Sequence, residues 1–277
     1  MQKIDDRQPV QHVSSAVLAR LAREDRHESR AGPDTSPLWR LLAMRMSSVL
    51  ALAAVVFSAP LRADTGTLPP RSHAVLAELF TSQGCSSCPP AEKLFAELAD
   101  MPAVVTIEWH VDYWDTLVHR GSRWKDPFSS PAFTRRQRDY NRVLRGTGAV
   151  YTPQAVVGGA VELVGSQSGA VSDALKRARK PSVSLVVGDD RVRLGGAGHG
   201  DVVWVRLDPA HSTQVKGGEN RGRRLEGRNV ALETRLLGRF TGTPAEYRLP
   251  ELSPGESCAI FVQDGSGPVL GAAYCRG

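Results

Sequence analysis

Two β-rich runs flank a single helical pattern, and that order restricts how they can pair. Ala74–Phe80 is mostly apolar and ends in Thr-Ser-Gln-Gly. Leu94, Phe95 and Leu98 then recur at helical spacing up to Met101-Pro102, and Val104–Val111 forms the second run. A helix between two strands carries the chain back to the starting edge, so the strands are predicted to be parallel with a right-handed crossover. Further on, Ser130-Pro131 supplies an N-cap and a first-turn proline for a helix that runs to about Leu144 and stops near Gly146. Val150–Val157 reads as a third strand, Gly158-Gly159 as a hairpin turn and Val161–Val164 as a fourth strand. Ser168 caps a helix that Pro181 ends. The predicted order is β-α-β-α-β-β-α.

From Ser182 the period changes. SVSLVVGDDRVRLGG alternates around a Gly-Asp-Asp turn, DVVWVRLD is a further strand, and CAIFVQDGSGPVLGAAYC reads as a hairpin; Val230–Leu237 fits a helix or a strand. The pattern therefore predicts an α/β domain over 64–181 and a small antiparallel β domain over 182–277.

Ahead of these, Arg45, an apolar run from Val49 to Phe57, a turn at Ser58-Ala59-Pro60 and a small residue at Ala63 follow the order of a secretory signal over 46–63. The apolar run is too short to span a bilayer. Residues 1–45 are polar and read as an upstream reading-frame extension or a disordered leader, with the start at Met44 or Met46. Cleavage would leave no membrane anchor and would deliver the chain to the periplasm or the medium. The formal charge of +6 divides evenly. Residues 1–63 hold nine Lys/Arg against six Asp/Glu, a net of +3, leaving +3 for the rest. That excess is too small and too dispersed to indicate nucleic acid.

All four cysteines lie after the signal, where export favours disulfides over structural zinc. With a turn at Gly265–Pro268, antiparallel pairing sets Cys258 opposite Cys275, at a separation that a disulfide bridges. Cys85-Ser-Ser-Cys88 differs in kind. It lies between a strand and a helix start, where free N–H groups and the helix dipole stabilise a thiolate, and Pro89 and Pro90 fall in the first turn. An antiparallel third strand begins at the same sheet edge, so Thr152-Pro153 should face Cys85 and Cys88. His110 and Trp114, just past the second strand, belong to that edge too. They read either as a substrate-binding rim or as a packed loop with a hydrogen-bonded histidine.

The segment from about Val75 to Val157 resembles the thioredoxin superfamily. More narrowly the chain is similar to a secreted bacterial family catalogued as domain of unknown function 1223. The matching motifs stand here as ELFTSQGCSSCPPAEKL, HVDYWD, WKDPFSSPAFTRRQ and VYTPQAVV, followed by GGENRGR. The resemblance implies a thioredoxin-like α/β domain ahead of the β domain, and a cis proline at Pro153 whose preceding residue, Thr152, offers backbone to a peptide. The departures are Ser-Ser between the cysteines, Glu78 seven residues before Cys85 rather than six, and Leu225–Asn229 in place of a Thr-His-rich stretch.

These readings converge on an exported thiol–disulfide oxidoreductase. Cys85 would be the nucleophile and Cys88 the resolving thiol; Thr152, Pro153, His110 and Trp114 would bind the substrate, a protein thiol or disulfide. No cofactor and no metal are called for. Two alternatives stay open: a binding module in which Cys85–Cys88 is a permanent bridge, and a metal-handling protein using Cys85, Cys88 and His110. The arginines of the Arg135–Arg145 helix read as a solvated face.

Overall fold

The computed structural model describes residues 74–275. The leader expected at 1–45 and the signal segment at 46–63 lie outside the described residues. In chain order the elements are β1 (Val75–Thr81), α1 (Pro89–Ala99), β2 (Val104–His110), α2 (Pro131–Arg145), β3 (Gln154–Val157), β4 (Val161–Val164) and α3 (Ser168–Arg177). There follow β5 (Val183–Val187), β6 (Arg191–Gly196), β7 (Gly200–Gln214), β8 (Arg224–Phe240), β9 (Ala245–Arg248), β10 (Ser257–Gln263) and β11 (Val269–Tyr274).

The fold class differs from the expected one. The chain does not form a thioredoxin-like α/β domain followed by a small antiparallel β domain. β7, β8, β10 and β11 instead continue the sheet that contains β1–β4, giving one mixed eight-stranded sheet in the order β11-β10-β7-β8-β2-β1-β3-β4. The architecture is mostly sheet. β5, β6 and β9 form a second, three-stranded sheet. The physical reason lies in β2. Every residue of Val104–His110 is buried, which suits a central strand and not an edge whose backbone groups would need cover. β8 supplies that cover by running parallel to β2, with Glu108 opposite Val230. The ambiguous Val230–Leu237 stretch falls inside β8.

Alternation along β1 separates two cores. Leu76 and Phe80 join Ile107, Trp109, Phe133 and Tyr140 on the side that α2 covers. Ala77 and Leu79 turn to the other side, against Ala91, Phe95 and Leu98 of α1 and Val171 of α3. Fully burying a side chain such as Leu or Phe contributes about 1.5–3 kcal/mol, so a one-residue slip of β1 would forfeit most of both cores. A third cluster joins Val183, Leu185, Val192 and Leu194 of the small sheet to Trp204, Ile260 and Val262 of the large one.

Both cysteine pairs are disulfide-bonded. Cys258 and Cys275 have Cα atoms 5.0 Å apart. A bulge at Val262/Gln263 shifts the β10–β11 pairing beside the turn, but from Val262–Gly271 outward the register runs through Ala259–Tyr274 to the pair itself.

Candidate functional site

The site begins where β1 ends. Thr81–Gly84 leads into a turn in which Cys85 and Cys88 are joined, with Cα atoms 5.5 Å apart. The Cys88 N–H donates to the Cys85 carbonyl at 3.3 Å. Cys88 is also the N-cap of α1, without a side-chain cap, and the prolines at the first helical positions have no N–H to leave unpaired. Both sulfur-bearing residues are fully buried, although Ser86 and Ser87 between them are exposed. A thiolate released here would sit at the positive end of α1.

Four expected neighbours are placed as follows. The Trp114 indole N–H donates to the Thr152 hydroxyl at 2.8 Å, and the Trp114 side chain flanks Gly84. The Thr152-Pro153 peptide is cis. Pro153 and Ala91 of α1 both lie close to Gly165, so Thr152, Pro153 and Trp114 gather beside the disulfide turn. His110 does not lie on a rim. It is 1% exposed, beneath the turn, and its Nδ1 is 2.8 Å from Asp126 Oδ2. The same Asp126 oxygen accepts the Gln83 backbone N–H at 2.7 Å, which ties the histidine to the loop before Cys85.

Glu78 is committed elsewhere. It receives Arg136 Nε at 2.7 Å and Trp109 Nε1 at 2.9 Å, together with the Tyr140 hydroxyl, all on the α2 side of the sheet. The acids on the α1 side are Glu92 and Glu108. Glu92 lies one helical turn after Cys88; its N–H donates to the Cys88 carbonyl at 3.2 Å and its carboxyl accepts from Thr81 at 2.7 Å. Burial raises the Glu92 pKa, against the opposing pull of His110. Burial and the neighbouring Glu92 hold Glu108 well above the usual carboxyl range. Burial disfavours the charged form of His110, but the charge and hydrogen bond of Asp126 outweigh it and raise its pKa. Burial and the charge of His110 press His211 of β7 down to about 4.

These groups line a small internal space with Gln83, Leu225 and Gly227. Gly227 is required there, because a Cβ would overlap the His211 ring. Both Glu108 oxygens, His110 Nε2, His211 Nδ1 and Gln83 Nε2 have no protein partner. Among the described residues, no three His, Cys, Asp or Glu side chains are gathered so as to hold a metal ion.

Sequence reasoning missed the residues that seal the turn, and they come from the β7–β8 hairpin tip, more than 130 positions away. Asn220 Nδ2 donates to the carbonyls of Cys85 at 2.8 Å and Gln83 at 3.0 Å. Glu219 Oε2 accepts from the Ser86 N–H at 2.9 Å and the Ser86 hydroxyl at 2.7 Å. The one sequence signal was GGENRGR itself, two glycines leading into a polar pair that had no assigned role. Asp126, Glu92 and His211 carried no local signal beyond being titratable.

The family model for the protein of unknown function DUF1223 matches residues 76–263, and the chain belongs to that family. No curated protein matches it. The crystal structure of protein AGR_C_4864 from Agrobacterium tumefaciens is similar, with 28% identity and a TM-score of 0.59, over 73% of this chain and 93% of that one. HBP35 of Porphyromonas gingivalis aligns with 11% identity and a TM-score of 0.49, over 73% of this chain and 74% of that one.

Proposed function

We propose that the protein is an exported thiol–disulfide oxidoreductase whose working bond is Cys85–Cys88. One observation carries the reading: this disulfide closes a turn at a helix N-terminus, one helical turn from a buried acid, Glu92. The dipole favours the thiolate that exchange requires, and a buried carboxyl whose pKa is raised by burial suits a proton donor to a leaving thiolate.

In the oxidising direction a partner thiolate attacks Cys85 Sγ. The Cys85–Cys88 bond breaks, a partner–Cys85 bond forms, and Cys88 leaves as a thiolate that takes the Glu92 proton. A second partner thiolate then displaces Cys85, so the partner gains a disulfide and the protein holds a dithiol. Two electrons pass to the protein. The reverse sequence reduces a partner's disulfide, with Cys88 giving its proton back to Glu92. Thr152, Pro153 and Trp114 border the turn and suit contact with the partner chain, whereas His110 acts from beneath through Asp126 and Gln83.

A second reading rests on the full burial of both cysteines: a permanent bridge in a binding module. Cys88→Ser in the native host separates the two. The oxidoreductase reading expects Cys85 of that variant to accumulate mixed disulfides with other proteins on a non-reducing gel. A variant that traps none contradicts it.

A further inference from the structure

We propose that the β7–β8 hairpin tip, Val215–Arg223, is a lid that closes over the Cys85–Cys88 disulfide and must lift before a thiol can reach Cys85. Both cysteines are fully buried while Ser86 and Ser87 between them are exposed, and within the turn the Ser87 hydroxyl lies 3.4 Å from Cys85 Sγ. The tip reaches that turn directly. Asn220 is itself fully buried, and its amide bridges the carbonyls on either side of Gly84. Glu219 takes both the N–H and the hydroxyl of Ser86.

The closed seat is specific. Gly218 N–H donates to the Ser122 hydroxyl at 3.1 Å, and a Cβ on Gly217 would overlap the Arg123 carbonyl. The tip holds its own shape independently of that seat. Val215 N–H donates to the Arg223 carbonyl, Gly222 N–H to the Val215 carbonyl and Arg223 N–H to the Asn220 carbonyl. Arg223 also fixes the Asn220 side chain at 2.8 Å. Its hold on the cysteine turn is polar, a few hydrogen bonds that water replaces at modest cost. A unit that is internally bonded and held to the turn by hydrogen bonds, with Gly217 and Gly218 packed against Arg123 and Trp124, opens as a body while the strands below stay paired.

The inference deepens the oxidoreductase reading by assigning regulation of access to the same site, yet its test reads the disulfide and needs no partner. Oxidised protein is treated with dithiothreitol under native conditions, quenched with a maleimide at intervals, and each disulfide is followed separately by peptide mass. Asn220→Ala, which removes both hydrogen bonds to the turn and the one from Arg223, should speed reduction of Cys85–Cys88 by about tenfold, and Glu219→Ala by about threefold. Cys258–Cys275 should keep its rate in both variants. Unchanged rates at Cys85–Cys88 would overturn the lid, as would equal acceleration at both disulfides, which marks general loosening. Should Asn220→Ala fail to fold, Glu219→Ala, whose side chain is on the surface, decides alone. Failure to trap partners with Cys88→Ser would leave these rates untouched, so the two ideas fail separately.

Discussion

Cys85–Cys88 and Cys258–Cys275 are the same covalent bond in two unlike settings. The first spans three positions at the end of a helix and is surrounded by a buried acid, a histidine–aspartate pair and a polar lid. The second spans 17 positions, joins neighbouring strands and packs in the apolar cluster with Trp204 and Ile260. What a disulfide does follows from what it constrains and which groups can move protons beside it. A bond across two already paired strands restricts the unfolded chain. A bond across one turn has less to restrict and, on the proposed function, more to exchange.

Stability gives the largest expected contrast. Loop-closure entropy predicts that replacing Cys258 and Cys275 together by Ala lowers the unfolding free energy by about 3 kcal/mol, against about 2 kcal/mol for the Cys85/Cys88 pair. Urea unfolding of the two double variants measures both, and a larger loss at Cys85–Cys88 would reverse the assignment.

Proton transfer separates the bonds next. Glu92→Gln should slow thiol exchange at Cys85–Cys88 by about tenfold and flatten its dependence on pH, with Glu92→Asp recovering part of the rate. Reduction of Cys258–Cys275 should not change. A variant that slows both bonds alike would make Glu92 a merely structural residue.

The smallest effect concerns the acid side. The His211 pKa stands at about 4 in the fold, below the ordinary 6.5. Between those values the unfolded chain binds a proton that the folded chain does not. Stability from this group is therefore complete above 6.5 and falls as pH drops through about 4. Glu92 and Glu108, with raised pKa values, act with the opposite sign: their contribution is present at low pH and is lost as pH rises. His211→Gln should make the acid-side decline shallower than in the wild type, measured by urea unfolding at pH 7, 5.5 and 4.5. An unchanged slope would show that His211 does not carry it.

Much of this was legible locally. The proline-capped helices, the strand before Cys85 and the opposition of Cys258 and Cys275 all follow from short patterns, because caps, turns and alternation act over a few residues. The sheet's extent was not. Nothing local in Arg224–Phe240 states that it docks on β2, since strand-edge partners are chosen by burial across the whole molecule. The alternating polar residues Thr106, Glu108 and His110 gave no sign that every residue of β2 would be buried. Glu78 stood out in the sequence only as a departure in its spacing from Cys85, and in the fold Arg136 claims it on the α2 side. The lid lies outside local reading altogether, because Glu219 and Asn220 meet the cysteine turn only once the long hairpin has folded over α1.

The central claim is that one disulfide works and the other holds. The direct measurement is the reduction potential of each bond in the same molecule, by equilibration in graded glutathione or dithiothreitol buffers, alkylation and peptide mass. The account predicts Cys85–Cys88 above about −300 mV and Cys258–Cys275 below it. Both potentials below about −300 mV would make Cys85–Cys88 a structural bridge and contradict the account.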